Sequence, residues 1–172
     1  SLDNLNREKI SVISASCLGT DMIRYLSKRL YHFELKYALR DLNNKIIEIV
    51  IKHKEKYPKV SEDTGPGTLN NVIASRVCNV FNFLGKSFNV DSDFNSFASA
   101  LQISVLELRQ GDSNFIVLVA SDDELSKSKT YAKRSGISCL LLTSLEIAKK
   151  EGYPILSTIK EIRYENGKIP AD

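Results

Sequence analysis

Six consecutive apolar residues, Phe115-Ile116-Val117-Leu118-Val119-Ala120, constrain the fold of this chain more than any other feature. A strand with one face in water alternates apolar and polar side chains. A strand that is apolar throughout belongs inside a sheet covered on both faces. Covering both faces takes helices on each side, which predicts a layered α-β-α domain. The remaining sequence supplies the parts. Residues 9–15 alternate and are β-rich, as a first strand should be. Asp21 caps a predicted helix through Met22, Ile23, Leu26 and Leu30. A longer helical pattern covers residues 34–56, with Leu35, Ala38, Leu39, Leu42, Ile46, Ile49 and Val50 on its inward side, and Pro58 stops it. Residues 62–68 read as a loop by their glycines and proline. A helix over residues 69–83 turns Val72, Ile73, Val77, Val80 and Phe81 inward, and Gly85 ends it. Residues 88–92 form a short strand, followed by a helix over 95–109 that closes at Gln110-Gly111-Asp112. Residues 137–142 read as a second buried strand, Ser144 opens a short helix ending near Gly152, and residues 155–164 alternate as a last strand. The sum is a mixed sheet of about five strands in a single domain over residues 1–172, with no internal repeat.

The charge pattern narrows the classes of partner. A net charge of +3 is weak, and the densest basic run, Lys52, Lys54, Lys56 and Lys59, is broken by Glu55 and Glu62. That describes a solvated helix end rather than a nucleic-acid footprint. No apolar run nears the ~20 residues that span a bilayer, and the basic-then-apolar order of a signal peptide is absent. A cytoplasmic domain without membrane or nucleic-acid partners is expected. The three cysteines, Cys17, Cys78 and Cys139, are widely spaced and form no CxxC pair, so neither a disulfide framework nor a metal site is suggested. Cys78 and Cys139 lie in apolar stretches and read as small buried hydrophobes. His32 and His53 stand beside charged residues and read as surface positions. No cofactor is implied.

Two strand-to-helix turns are candidate sites, because a helix N-terminus offers free N–H groups and a favourable dipole to an anion or a nucleophile. One is the loop Ser14-Ala15-Ser16-Cys17-Leu18-Gly19-Thr20-Asp21. It lacks the glycine spacings of phosphate loops and has no histidine nearby, so an ordinary turn outweighs a reactive Cys17. The other spans residues 87–101, a strand, a sharp turn and a buried helix, with Phe94 at the tip. Phe94 carries no nucleophilic atom, and a plain buried aromatic is the simpler account of it. Arg76, in a mostly apolar helix, reads as half of a buried or interface ion pair, with Asp91 as a candidate partner. Lys127 to Arg134 read as a solvated loop first and as a dock for an acidic partner second.

Several of these stretches, taken in register, resemble the N-terminal half of a β-ketoacyl synthase, a condensing enzyme of thiolase fold. Asn70-Asn71-Val72-Ile73-Ala74-Ser75-Arg76-Val77 is similar to the family's Ala-(Ser/Gly)-Arg-(Ile/Val) helix. Phe81-Asn82-Phe83-Leu84-Gly85-Lys86-Ser87-Phe88-Asn89-Val90-Asp91 resembles the approach to its nucleophile turn. Leu108-Arg109-Gln110-Gly111 and residues 116–120 resemble the helix end and strand that follow. Residues 136–162, with Leu141-Leu142-Thr143-Ser144-Leu145-Glu146-Ile147-Ala148, resemble the strand and helix closing that half. Glu62-Asp63-Thr64-Gly65-Pro66-Gly67 is most similar to the iterative synthases of polyunsaturated fatty acids and related polyketides.

The departures carry as much weight as the matches. On this resemblance Phe94 stands where the acyl-accepting cysteine should be, and without a thiolate no thioester forms. The connection between Ala120 and Gly136 is far shorter than the family's, and its His-Gly-Thr and Asn-x-x-His elements have no counterpart in these 172 residues. The resemblance therefore implies a thiolase-like half-domain that does not itself catalyse condensation. It implies a scaffold for a second ketosynthase-like half or a partner synthase subunit, and for a neighbouring acyltransferase domain, with an acyl carrier protein as a further partner. Phe88, Val90, Asp91 and Arg76 are its candidate interface residues. A small α/β enzyme or ligand-binding domain using residues 14–21 and Cys17 is the alternative.

Overall fold

A computed structural model describes residues 5–16, 59–67, 69–92, 95–122 and 136–162, with isolated helical positions from residue 27 to residue 52. By contacts the chain divides into two compact units, residues 1–17, 70–123 and 133–172 in one, and residues 18–69 with 124–132 in the other. The first unit holds a 3-10 turn, Arg7–Lys9, and four strands: β1 (Ile10–Ala15), β2 (Ser87–Val90), β3 (Phe115–Asp122) and β4 (Gly136–Thr143). The second contributes a one-turn helix, α1 (Thr64–Gly67). Three further helices, α2 (Asn71–Phe81), α3 (Ser96–Gln110) and α4 (Leu145–Lys150), belong to the first unit.

The sheet runs β2-β1-β3-β4, with β1 parallel to β2 and β3, and β4 antiparallel to β3. The mixed sheet and its helices bear out the layered α/β fold. All six residues of β1 are buried, which requires cover on both faces. On one face Ile13 and Ala15 join Ile116, Leu118 and Ala100 of α3 in the core, with Phe88, Val90 and Leu142 packed against it. Each fully buried Ile or Leu there contributes about 1.5–3 kcal/mol. Ser96, Ala100 and Ser104 recur every four residues along one side of α3, the side on which Ala100 joins the core, and their small side chains allow close approach. The Ser104 hydroxyl donates to the Ala100 carbonyl at 2.7 Å, so its burial leaves no polar atom unpaired. On the other face α2 packs on β1 and β2, where Ser75 Oγ lies 3.3 Å from Ser87 Oγ.

Several expectations are corrected. The sheet has four strands among the described residues, because residues 155–162 form none; Leu156 there is 99% exposed, with no ladder to join. β4 is an exposed edge strand rather than a buried one. Its register with β3 aligns Ile137, Cys139 and Leu141 on one face, and Ile137 and Leu141 are 80% and 70% exposed. Cys139 is exposed and Cys78 half-buried, so neither is a buried hydrophobe. Val80 and Phe81, in the last turn of α2, are exposed rather than inward-facing. There Arg7 donates to the Phe81 carbonyl at 3.2 Å and Phe81 stacks on Phe83. Asn82, not Gly85, ends α2, at φ +53°. Residues 64–67 form a helical turn rather than a loop. The Thr64 hydroxyl accepts from Ser61 N at 2.8 Å, and Pro66 sits in the first turn, where its missing N–H costs nothing. Ala38 and Ile49 are helical, as predicted, but exposed. His32, His53 and Lys127 to Arg134 lie outside the described residues.

Gly85 has a different task from the one its sequence suggests. Its N–H donates to the Ile10 carbonyl at 3.1 Å, and a Cβ there would collide with that oxygen and lie 2.6 Å from the carbonyl carbon. Only glycine lets the chain pass this close to β1 before entering β2. Lys86 then fixes the register: its N–H donates to Ser11 Oγ at 3.0 Å and its carbonyl accepts from Val12 N at 2.9 Å.

Candidate functional site

The parallel pairing of β1 and β2, with Ala15 opposite Val90, brings the carboxyl ends of the two strands that lead toward the candidate turns to one end of the sheet. In an open α/β sheet the carboxyl ends of parallel strands are where ligands bind. A side-chain network ties the two strand ends together there. Asn89 Oδ1 accepts from Ser14 Oγ at 2.7 Å and from Ser16 Oγ at 2.9 Å, and Asn89 Nδ2 donates to the Ser16 carbonyl at 3.0 Å. Asn70, at the start of α2, donates to the same carbonyl at 3.2 Å. Ser14 and Ser16 are only 1% and 5% exposed. Their hydroxyls are therefore spent on Asn89, as buried polar groups must be, and are not presented to a ligand. Cys17, on which the alternative site depended, lies outside the described residues.

Sequence inspection missed Asn89 as the centre of this network. The available signal was a polar stripe: Ser14 and Ser16 are two apart on β1, and Asn89 is the polar residue that alternates with Phe88 and Val90 on β2.

The second turn is built as a frame. Ser92 N donates to Ser96 Oγ at 2.9 Å, Asn95 N to the Ser92 carbonyl at 3.1 Å, and Ser99 N to the Asn95 carbonyl at 2.9 Å. Ser96 is buried, so the chain is pinned where it turns into α3. Phe94 itself lies outside the described residues. The far end of α3 closes on Gly111, at φ +73°, as its sequence predicts. Beside it Lys86 Nζ reaches Glu107 Oε2 at 2.9 Å and Asp112 Oδ2 at 2.7 Å. The Lys86 ammonium holds the Asp112 carboxyl below its ordinary range, and Asp112 with Glu107 raises Lys86 in turn.

The proposed interface residues divide between faces. Phe88 and Val90 are half-buried and pack against the core, while Asp91 is exposed. Arg76 is exposed on α2. Among the described residues β2 is the outermost strand on its side of the sheet. Among the described residues no group of three or more His, Cys, Asp and Glu could hold a metal ion, and no helix is long and apolar enough to cross a membrane.

Comparison with known proteins agrees with this architecture. The family model for the N-terminal domain of β-ketoacyl synthases matches residues 8–139. A polyunsaturated fatty acid synthase polypeptide of Thraustochytrium sp. is 26% identical over 142 residues, covering 77% of this chain. A highly reducing polyketide synthase of Penicillium crustosum is 26% identical over 89 residues, covering 52%. The chain spans 5% and 4% of the lengths of these two relatives. Among solved structures, a ketosynthase bound to a hexaketide, in complex with its type II polyketide acyl carrier protein, superposes with a TM-score of 0.58 at 13% identity. That match covers 87% of this chain and 40% of the other. The ishigamide ketosynthase/chain length factor gives 0.57 at 12% identity, covering 86% and 39%. These likenesses show the fold. With its four-stranded mixed sheet, its strand-turn-helix frame at residues 87–110 and a family match over most of its length, this chain belongs to the β-ketoacyl synthase family, as an N-terminal, thiolase-like domain.

Proposed function

We propose that this chain is a non-catalytic, ketosynthase-like structural and interaction domain of a fatty-acid or polyketide synthase of the polyunsaturated-fatty-acid type. One observation carries the proposal: the sequence places Phe94 between Ser92 and Asn95, at the position that the family resemblance gives to the acyl-accepting cysteine. A phenyl ring cannot form a thioester, so the acyl transfer that opens a condensation has no acceptor at this position. The frame around the turn is intact: Ser92, Asn95, Ser96 and Ser99 remain hydrogen-bonded. A retained frame without a nucleophile favours selection for shape over chemistry.

In this proposal the domain holds other parts of a synthase in place. A second ketosynthase-like half or a partner subunit is the first partner, favoured by the position of β2 at one edge of the sheet with exposed Asp91 at its end. Solved relatives named as a ketosynthase/chain length factor and as a ketosynthase with its acyl carrier protein support that choice by likeness of fold. An acyltransferase domain is the neighbour to be positioned, an acyl carrier protein is a further contact, and the cytoplasm is the place of work.

The test supplies the purified chain with malonyl- and acyl-loaded carrier protein and follows carbon dioxide release and chain extension by mass spectrometry. No turnover above a protein-free blank is expected, together with co-sedimentation of the chain with a partner synthase subunit. Carrier-dependent condensation overturns the non-catalytic assignment. Failure to associate with any synthase subunit overturns the scaffolding role.

A further inference from the structure

We draw no further inference here: the strongest candidate, the apolar face that Ile137, Cys139 and Leu141 expose on the edge strand β4, carries nothing because nothing in the structure shows what covers it.

Discussion

Asn89 and Ser16 hold each other by a reciprocal pair of hydrogen bonds: Asn89 Nδ2 donates to the Ser16 carbonyl at 3.0 Å, and Ser16 Oγ donates back to Asn89 Oδ1 at 2.9 Å. The pair joins residues far apart in the chain at the place where β1 and β2 both end. Ser14 adds a third bond, to the same Oδ1 at 2.7 Å. The ends of the two parallel strands are thus fixed by side chains as well as by the ladder.

Replacing Asn89 with leucine keeps the branched outline of the side chain and strands two buried hydroxyls, while the Ser16 carbonyl keeps its bond from Asn70. The expected cost is about 1–3 kcal/mol, read as a lower urea midpoint at unchanged slope. The informative comparison adds Ser14→Ala and Ser16→Ala to Asn89→Leu. With all three polar side chains gone, no hydroxyl is left unsatisfied, and part of the lost stability should return. A triple variant less stable than Asn89→Leu alone would show that the hydroxyls have other partners.

Gly85→Ala tests the close passage over β1. The added methyl meets the Ile10 backbone, which cannot rotate away as a side chain would. We expect a loss of at least about 2 kcal/mol, measured by thermal or urea unfolding. Gly67→Ala is the control, since nothing lies within 4 Å of a Cβ there; it should stay within about 0.5 kcal/mol of the parent. Equal tolerance at both positions would refute the steric account of Gly85.

These two sites also show what the sequence could and could not tell. The central apolar strand, the helix over 96–110, its Gly111 cap and the Ser144 cap were legible because each signal is local: a run, a period or a single residue of special geometry. Ser144 Oγ accepts from Ile147 N at 3.2 Å, as an N-cap should. Gly85 was misread because glycine serves equally as a helix stop and at a close approach. Asn82 took the left-handed cap instead. The exposure of β4 was not legible, since apolar residues say that they need cover without saying which element provides it. The Asn89 network was hidden for a similar reason: its partners lie 73 and 75 positions away. Of the candidate site, a phenylalanine at the position that the family resemblance gives to the nucleophile could be read directly, whereas the hydrogen bonds of Ser92, Asn95, Ser96 and Ser99 emerge only from the fold.

Lys86 with Glu107 and Asp112 gives a pH signature. The folded pKa of Asp112 lies below its ordinary 3.8, chiefly through the Lys86 hydrogen bond. Stability from this pairing is therefore complete above the unfolded value and lost as pH falls through the folded one. Lys86 is raised above 10.5 by Asp112 first and Glu107 second, so its share is complete below 10.5 and lost as pH rises through the folded value. Lys86→Met should lower the urea midpoint modestly near neutrality, because exposed pairs are weak. The gap between parent and variant should narrow in acid below pH 3.8 and again in alkali above pH 10.5. A gap independent of pH would assign the effect to the lysine's aliphatic stem instead.

The sharpest chemical prediction concerns the proposed absence of a nucleophile at Phe94. Phe94→Cys places a thiol two residues ahead of Ser96, the first residue of α3, and a helix N-terminus favours a thiolate through its dipole. Iodoacetamide should therefore modify the new cysteine faster than the half-buried Cys78, with the gain greatest near neutral pH, where an ordinary thiol is mostly protonated. Condensation should still not appear. The thiolate alone supplies an acyl acceptor, whereas decarboxylation and carbon–carbon bond formation need groups that stabilise the developing negative charge. The two histidines of this chain, His32 and His53, lie in the helical patterns before residue 59 and not at positions matching the family's histidine motifs. An acyl-thioester on Phe94→Cys without chain extension, seen by intact-mass spectrometry, is the expected end point. Chain extension by this variant would mean that the rest of the catalytic apparatus is present within these 172 residues, and the structural assignment would fall.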